Sequence, residues 1–203
     1  IPVRRVSDFE RRLLVERALT TIKPAADLPE TVLHTPGMVS HLLDVIAQLK
    51  QAAVEPAGFR ARAAQGESHG PLDDLVADAY AAYQDVLKAA GRYDVPGLYW
   101  EAVLLCQAKK PRILDETDLL ALDAFDDFTP SEFRLIEALE QHVAEMIFGL
   151  NYAARPDRQD LYTLPAATAR LIQTRFDAAP ALVEPTPPAS QVEFAANHVF
   201  WRD

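Results

Sequence analysis

The chain has 203 residues, 49% of them hydrophobic, with 30 acidic side chains against 20 basic ones and a formal net charge of −10. That length allows one large domain or two small ones. The acidic balance repels phosphate backbones and argues against strong nucleic-acid binding by the chain as a whole, while leaving local basic patches open. Only 7 Gly stand against 15 Pro, and long Ala/Leu/Glu/Arg stretches favour helix over a β-rich or loop-rich fold. Cys106 is the single cysteine, so no disulfide forms within the chain, which suits a reducing, cytoplasmic setting. No apolar run is long enough to span a membrane and no basic-then-apolar leader opens the sequence, so no membrane partner is expected. The chain opens at Ile1 without Met, as expected of a fragment or a processed chain.

Ser7 with Glu10 three residues on is a capping box and predicts a helix over 8–22, with Phe9, Leu13, Leu14 and Leu19 on one side. The proline-punctuated stretch IKPAADLPETVLHTPG reads as a connector. GMVSHLLDVIAQLKQAA predicts a second helix with the stripe Val39, Leu42, Leu43, Ile46 and Leu49. EPAGFRARAA predicts a short third helix, and QGESHGP an exposed loop. PLDDLVADAYAAYQDVLKAAG is the clearest helix: Pro71 suits the first turn and Gly91 the stop. Its apolar face is Leu72, Leu75, Val76, Ala79, Tyr83, Val86 and Leu87. LYWEAVLLCQ continues the helical pattern, with Cys106 read as buried and inert. Residues 1–111 are therefore expected to form a wholly helical, bundle-like subdomain.

From residue 112 the pattern changes. LLALDAF is a continuous apolar run ending in acid, as expected of a strand buried on both faces. TPSEFRLIEALEQHV offers Thr129 as N-cap, Pro130 in the first turn and Glu132 at the box position. AEMIFGLNY is a second run of strand length. Strand, helix, strand with short connections is a βαβ unit with parallel strands. PAATARLIQTRF predicts another helix and PTPPAS a stiff linker. QVEFAANHVFW reads as a last strand or a partner-seeking tail.

The carboxyl end of a strand in an open parallel sheet is where ligands bind. An Asp there can hold Mg²⁺ beside a nucleotide phosphate, usually through water. Asp123 has that place, and the next residue, Ala124, can neither hold a metal nor move a proton. Asp126 and Asp127 precede a helix N-terminus, where negative charge is favoured by roughly 0.3–1 kcal/mol, so capping alone also accounts for those two.

LLALDAFDDFTPSEFRLIEAL resembles the Walker B region of superfamily 1 DNA helicases of the UvrD type, in which an apolar strand runs into Asp-Glu-Phe-Gln-Asp before a Pro-containing helix start. It is closer to a divergent branch, the B subunits of AddAB-type helicase–nucleases. There the strand runs into a Gly-Phe-Asp-Asp-Phe-like segment and Thr-Pro; here the residues are Ala124-Phe125-Asp126-Asp127-Phe128-Thr129-Pro130. SDFERRLLVERAL resembles the helix entering that branch's inserted helical domain, and AYAAYQDVLKAAGRYDVPGLYWEAV its segment before the strand. The similarity spans about residues 6–152.

The resemblance implies a predominantly helical α/β chain: a helical insertion subdomain over 1–111 and part of a RecA-like, P-loop NTPase parallel sheet over 112–203. Asp123, Asp126 and Asp127 would be the remnant of a nucleotide and Mg site. ATP and Mg would belong to the parent protein, with no cofactor in this fragment. The implied setting is DNA double-strand-end processing in recombinational repair, with DNA and an AddA-like motor subunit as partners. Two departures qualify it. A Gly-Asp-x-x-Gln segment after the next strand is replaced by Gly149-Leu150-Asn151-Tyr152, and no GxxxxGK[ST] loop occurs. A non-catalytic scaffold and DNA guide is therefore expected. The alternatives are a trimmed piece of an active helicase motor, which needs a phosphate loop upstream, and a plain helical interaction module, which predicts no parallel sheet around 119–150.

Other motifs are weaker. The five histidines (His34, His41, His69, His142, His198) form no zinc pattern. Gly66-Glu67-Ser68-His69-Gly70 matches GxSxG but lacks the buried strand that a nucleophile elbow needs. No PD-(D/E)xK nuclease core is evident, and the acids of ILDETD read as a solvated turn. Tyr80, Tyr83, Tyr93, Tyr99 and Trp100 could stack on bases. Arg4, Arg5, Arg11 and Arg12 are the one basic cluster: a solvated helix face, or DNA backbone contacts in a fuller assembly.

Overall fold

A computed structural model of the chain describes residues 4–23, 29–66, 70–150 and 162–181. The Ser7–Glu10 box forms as read: the Glu10 backbone N–H donates to Ser7 Oγ and the Ser7 N–H donates to Glu10 Oε2 at 2.8 Å. It starts α1, Asp8–Leu19, which stops three residues short of the expected end. The buried face of α1 is Val15, Ala18 and Leu19. Phe9 and Leu13, expected on the packed side, are exposed instead. α1 packs against α5, and Phe9 and Leu13 fall off the Val15–Ala18–Leu19 face that it buries.

After α2 (Glu30–Leu33) comes α3, Pro36–Gln51, capped by Thr35, which accepts from Met38 N–H at 3.3 Å. It buries Val39, Leu42 and Ile46, and Lys50 one turn further along the same stripe. Its C-terminus is a Schellman motif. Val54 N–H reaches Leu49 O at 2.9 Å and Ala53 N–H reaches Lys50 O at 3.0 Å, with Ala53 left-handed at φ 55°. α4 is Pro56–Ala63 and α5 is Pro71–Ala89, which ends at Gly91 with φ 60°. α5 forms the centre, burying Leu75, Val76, Ala79, Tyr80, Tyr83 and Leu87 against α1, α3 and α4. Leu72, expected on that face, is exposed beyond the end of the contact. Each fully buried Leu, Val or Ile contributes roughly 1.5–3 kcal/mol.

The first part is not wholly helical. β1 (Arg4–Arg5) pairs in parallel with β2 (Arg92–Tyr93), and Val6 N–H extends the ladder to Tyr93 O at 2.9 Å. Two-residue pairings of this kind leave no hydrophobic period to read. α6 follows at Val95–Ala108, three residues earlier than its apolar run, because Asp94 caps it by accepting from Gly97 N–H at 2.9 Å. No helix among the described residues is long and apolar enough to cross a membrane.

Beyond a short 3-10 turn (Arg112–Leu114), β3 (Leu119–Asp123), α7 (Pro130–Glu140) and β4 (Glu145–Gly149) form the expected βαβ unit. The strands pair in parallel, from Leu119 opposite Glu145 to Asp123 opposite Gly149. Thr129 and Glu132 close the second capping box. α8 is Thr163–Phe176. The parallel pair removes the plain helical module as a reading.

One expectation fails here: β3 is not buried on both faces. Leu119, Ala121 and Asp123 are exposed while Leu120 and Leu122 are half-buried, and β4 alternates likewise. Phe148 of β4 meets Phe176 of α8 at 5.2 Å between centroids, so one face of the sheet is packed. The other face has no layer over it among the described residues. The linker PTPPAS, from Pro185, and the tail after it lie outside the described residues, as do Glu67, Ser68 and His69 of the GxSxG stretch and Asn151 and Tyr152.

Candidate functional site

The loop after β3 is shaped by one backbone feature. Ala124 is left-handed, φ 62°, which turns the chain sharply away from the strand end. A side chain costs roughly 1–2 kcal/mol there and glycine costs little, so a small residue suits the position. The Asp123 carboxylate folds back over Gly149 of the neighbouring strand so closely that a β-carbon at 149 would collide with it. Gly149 is thus a close-approach glycine.

The rest of the loop is held by aromatic packing. Phe125 stacks on Phe128 at 4.8 Å, Phe128 meets Phe133 of α7 edge-on at 5.3 Å, and Phe133 lies 6.4 Å from Phe176 of α8. Thr168 Oγ1 of α8 donates to the Asp126 carbonyl at 2.9 Å. Asp123, Asp126 and Asp127 all face solvent around this frame. Among the described residues no three His, Cys, Asp or Glu side chains converge as a metal-binding group. Asp126 and Asp127 precede the N-terminus of α7, where the helix dipole favours them.

The arginines divide. Arg4 and Arg5 are exposed on β1. Arg12 bonds Glu16 at 3.4 Å and Arg11 bonds Asp8 at 3.4 Å. Arg11 lies on the inner side of α1, and its Nε is buried without a hydrogen-bond partner. Arg92 of β2 pairs with Glu10.

The aromatics weighed for base stacking are mostly structural. Tyr80 and Tyr83 are fully buried, Tyr80 donating to Val54 O at 2.9 Å. Trp100 donates to Lys50 O at 3.1 Å, and Tyr99 to Glu132 at 3.3 Å. Burial holds the Cys106 thiol above its usual range, as expected of an inert side chain.

Sequence reading missed a buried polar cluster. Lys50 is 1% exposed and Asp94 2%. Lys50 Nζ donates to Asp94 Oδ1 at 2.5 Å and to Gln84 Oε1 at 2.9 Å. Tyr83 donates to Asp94 Oδ2 at 3.2 Å, and the Tyr83 and Trp100 rings lie 5.9 and 5.7 Å from the ammonium. Burial lowers the Lys50 pKa, and Asp94 opposes that shift. A cleft of about 350 Å³ reaches this cluster past Arg92 and Glu101. The signal was in the sequence: Lys50 continues the Val39–Leu42–Ile46 stripe at helical spacing.

Compared with known proteins, residues 2–200 match the family model described as ADDB, N-terminal. No curated protein matches the chain.

Proposed function

The chain belongs to the ADDB N-terminal family, and from that premise we propose that it is the non-catalytic, helicase-like part of an AddB-like helicase–nuclease subunit, acting as a scaffold and DNA guide. The setting is the cytoplasmic processing of DNA double-strand ends for recombinational repair, beside an AddA-like motor subunit. The β3–α7–β4 unit would be part of a RecA-like sheet of the UvrD type, completed by neighbouring strands in the parent.

One observation carries this reading. At the carboxyl end of β3, Asp123 is followed by Ala124 in a left-handed turn, where the resemblance to UvrD-type helicases implies a water-polarising glutamate. A methyl group moves no proton, and positioned general bases are typically worth 10²–10⁴-fold in rate. Asp123 remains at the strand end, exposed and set against Gly149. On this reading the parallel pair would be kept for the shape of the parent while this step of the chemistry is gone. Arg4 and Arg5, exposed on β1, are the best placed of the basic cluster for a DNA backbone; Arg11 turns inward, and Arg11 and Arg12 are paired with Asp8 and Glu16 on α1.

The test is Mg-dependent ATP turnover by the full-length parent subunit alone. No turnover above background is expected. Turnover that Asp123→Ala abolishes would show that the acid still serves hydrolysis and would favour the trimmed-motor reading.

A further inference from the structure

Lys50, on α3, bonds to three other helices at once. Its ammonium binds Asp94, the cap of α6, and Gln84 of α5. Its carbonyl, at the end of α3, accepts from three donors: Ala53 N–H at 3.0 Å, Trp100 Nε1 at 3.1 Å and Ser131 Oγ at 2.5 Å. Ser131 is buried in the first turn of α7, directly after the acidic loop. Trp100 Nε1 also lies 3.2 Å from Ser131 Oγ.

We propose that Lys50 is the joint between the helical part and the acidic loop. The Lys50–Asp94 ion pair fixes the residue whose carbonyl anchors α7, so a change at Asp94 is felt across residues 123–136. The physical ground is rigidity. Lys50 is held from the side-chain end by a desolvated ion pair and from the backbone end by Trp100 and Ser131. Neither end can shift without straining bonds at the other. Asp94 and Ser131 share no bond. A link between them can run through Lys50 or through α6, which Asp94 caps and which carries Tyr99 and Trp100 against α7. The cycle below is therefore also run in a Lys50→Met background, where coupling carried by Lys50 should vanish and coupling that persists would overturn the joint. The inference does not rest on the parent's ATP chemistry.

A double-mutant cycle with Asp94→Asn and Ser131→Ala in the 203-residue chain, read by urea unfolding, tests it. Asn keeps an acceptor for Gly97 N–H and removes the charge. The unfolding constant of the double variant should depart from the product of the single effects by about fivefold or more. Additivity within about twofold would overturn the joint. If Ser131→Ala does not fold, Trp100→Phe replaces it in the cycle, with the same two outcomes. Hydrogen exchange supplies a reading that general weakening would not give. In Asp94→Asn, amides of residues 133–136 in α7 should exchange about tenfold faster while those of α8 stay unchanged. Equal acceleration of α7 and α8, or none in α7, would count against it.

Discussion

The helical part and the βαβ unit share one chain and differ in how they are finished. In the first, α5 buries most of its apolar face, and Lys50 and Asp94 inside it bond each other, Gln84 and Tyr83. In the second, no residue of β3 or β4 is fully buried, and Leu119 and Ile147 are each 47% exposed on the uncovered face. Parallel sheets ordinarily have both faces covered. The sheet is held on one side by the Phe125–Phe128–Phe133–Phe176–Phe148 chain of rings and, among the described residues, is left open on the other.

The widest gap between the regions should appear in single substitutions. Lys50→Ala leaves the Asp94 carboxylate buried and unpaired, and about 3–5 kcal/mol of stability should go. Asp123→Ala removes an exposed side chain and should change stability by less than about 0.5 kcal/mol. Urea unfolding measures both; comparable losses would erase the distinction.

Alkaline pH should sharpen it next. Burial, and then the charge of Asp94, raise the hydroxyls of Tyr80 and Tyr83 above their ordinary pKa of 10.0. A group whose pKa is raised by folding contributes stability below its unfolded value and loses it as pH rises. Each tyrosine should therefore remove about 1.4 kcal/mol per pH unit above roughly pH 10. Lys50, whose pKa folding lowers, acts with the opposite sign, and its gain is complete near the unfolded lysine value of 10.5. Unfolding followed from pH 9 to 12 should show a net fall above about 10.5, with a shallower slope in Tyr83→Phe.

The two left-handed alanines allow a matched comparison. Ala124 is exposed and Ala53 is buried. Ala124→Gly should stabilise by about 1 kcal/mol through relief of backbone strain, and Ala53→Gly by less, since it also loses packing. A thermal melt of each variant checks the order.

The smallest effect belongs to the rim. Asp126→Asn with Asp127→Asn should cost about 0.3–1 kcal/mol of α7 stability at low salt and close to nothing at high salt. An effect unaltered by salt would point to a role other than helix capping.

What the sequence disclosed and what it hid divide by range. Both capping boxes, Ser7–Glu10 and Thr129–Glu132, were legible because each is closed within four residues. So was the β3–α7–β4 unit, whose short connections leave the strands little choice but to lie parallel. The pairing of Arg4–Arg5 with Arg92–Tyr93 was not, because strands of two residues carry no pattern. The open face of β3 could not be read from LLALD, since an apolar run is the same whether or not a layer covers it. At the candidate site, Asp123 and Ala124 were legible as neighbours. The left-handed turn that makes the position of Ala124 suit a small residue appears only in the backbone.

Whether Asp123 matters to chemistry in the complete assembly separates a non-catalytic subunit from an active motor. The measurement is ATP-dependent processing of a duplex DNA end by the full complex, with Asp123→Ala introduced in this subunit alone. On the proposed non-catalytic role, a rate within about twofold of the unsubstituted complex is predicted; a loss of about a hundredfold or more, the scale of a removed catalytic group, would contradict it.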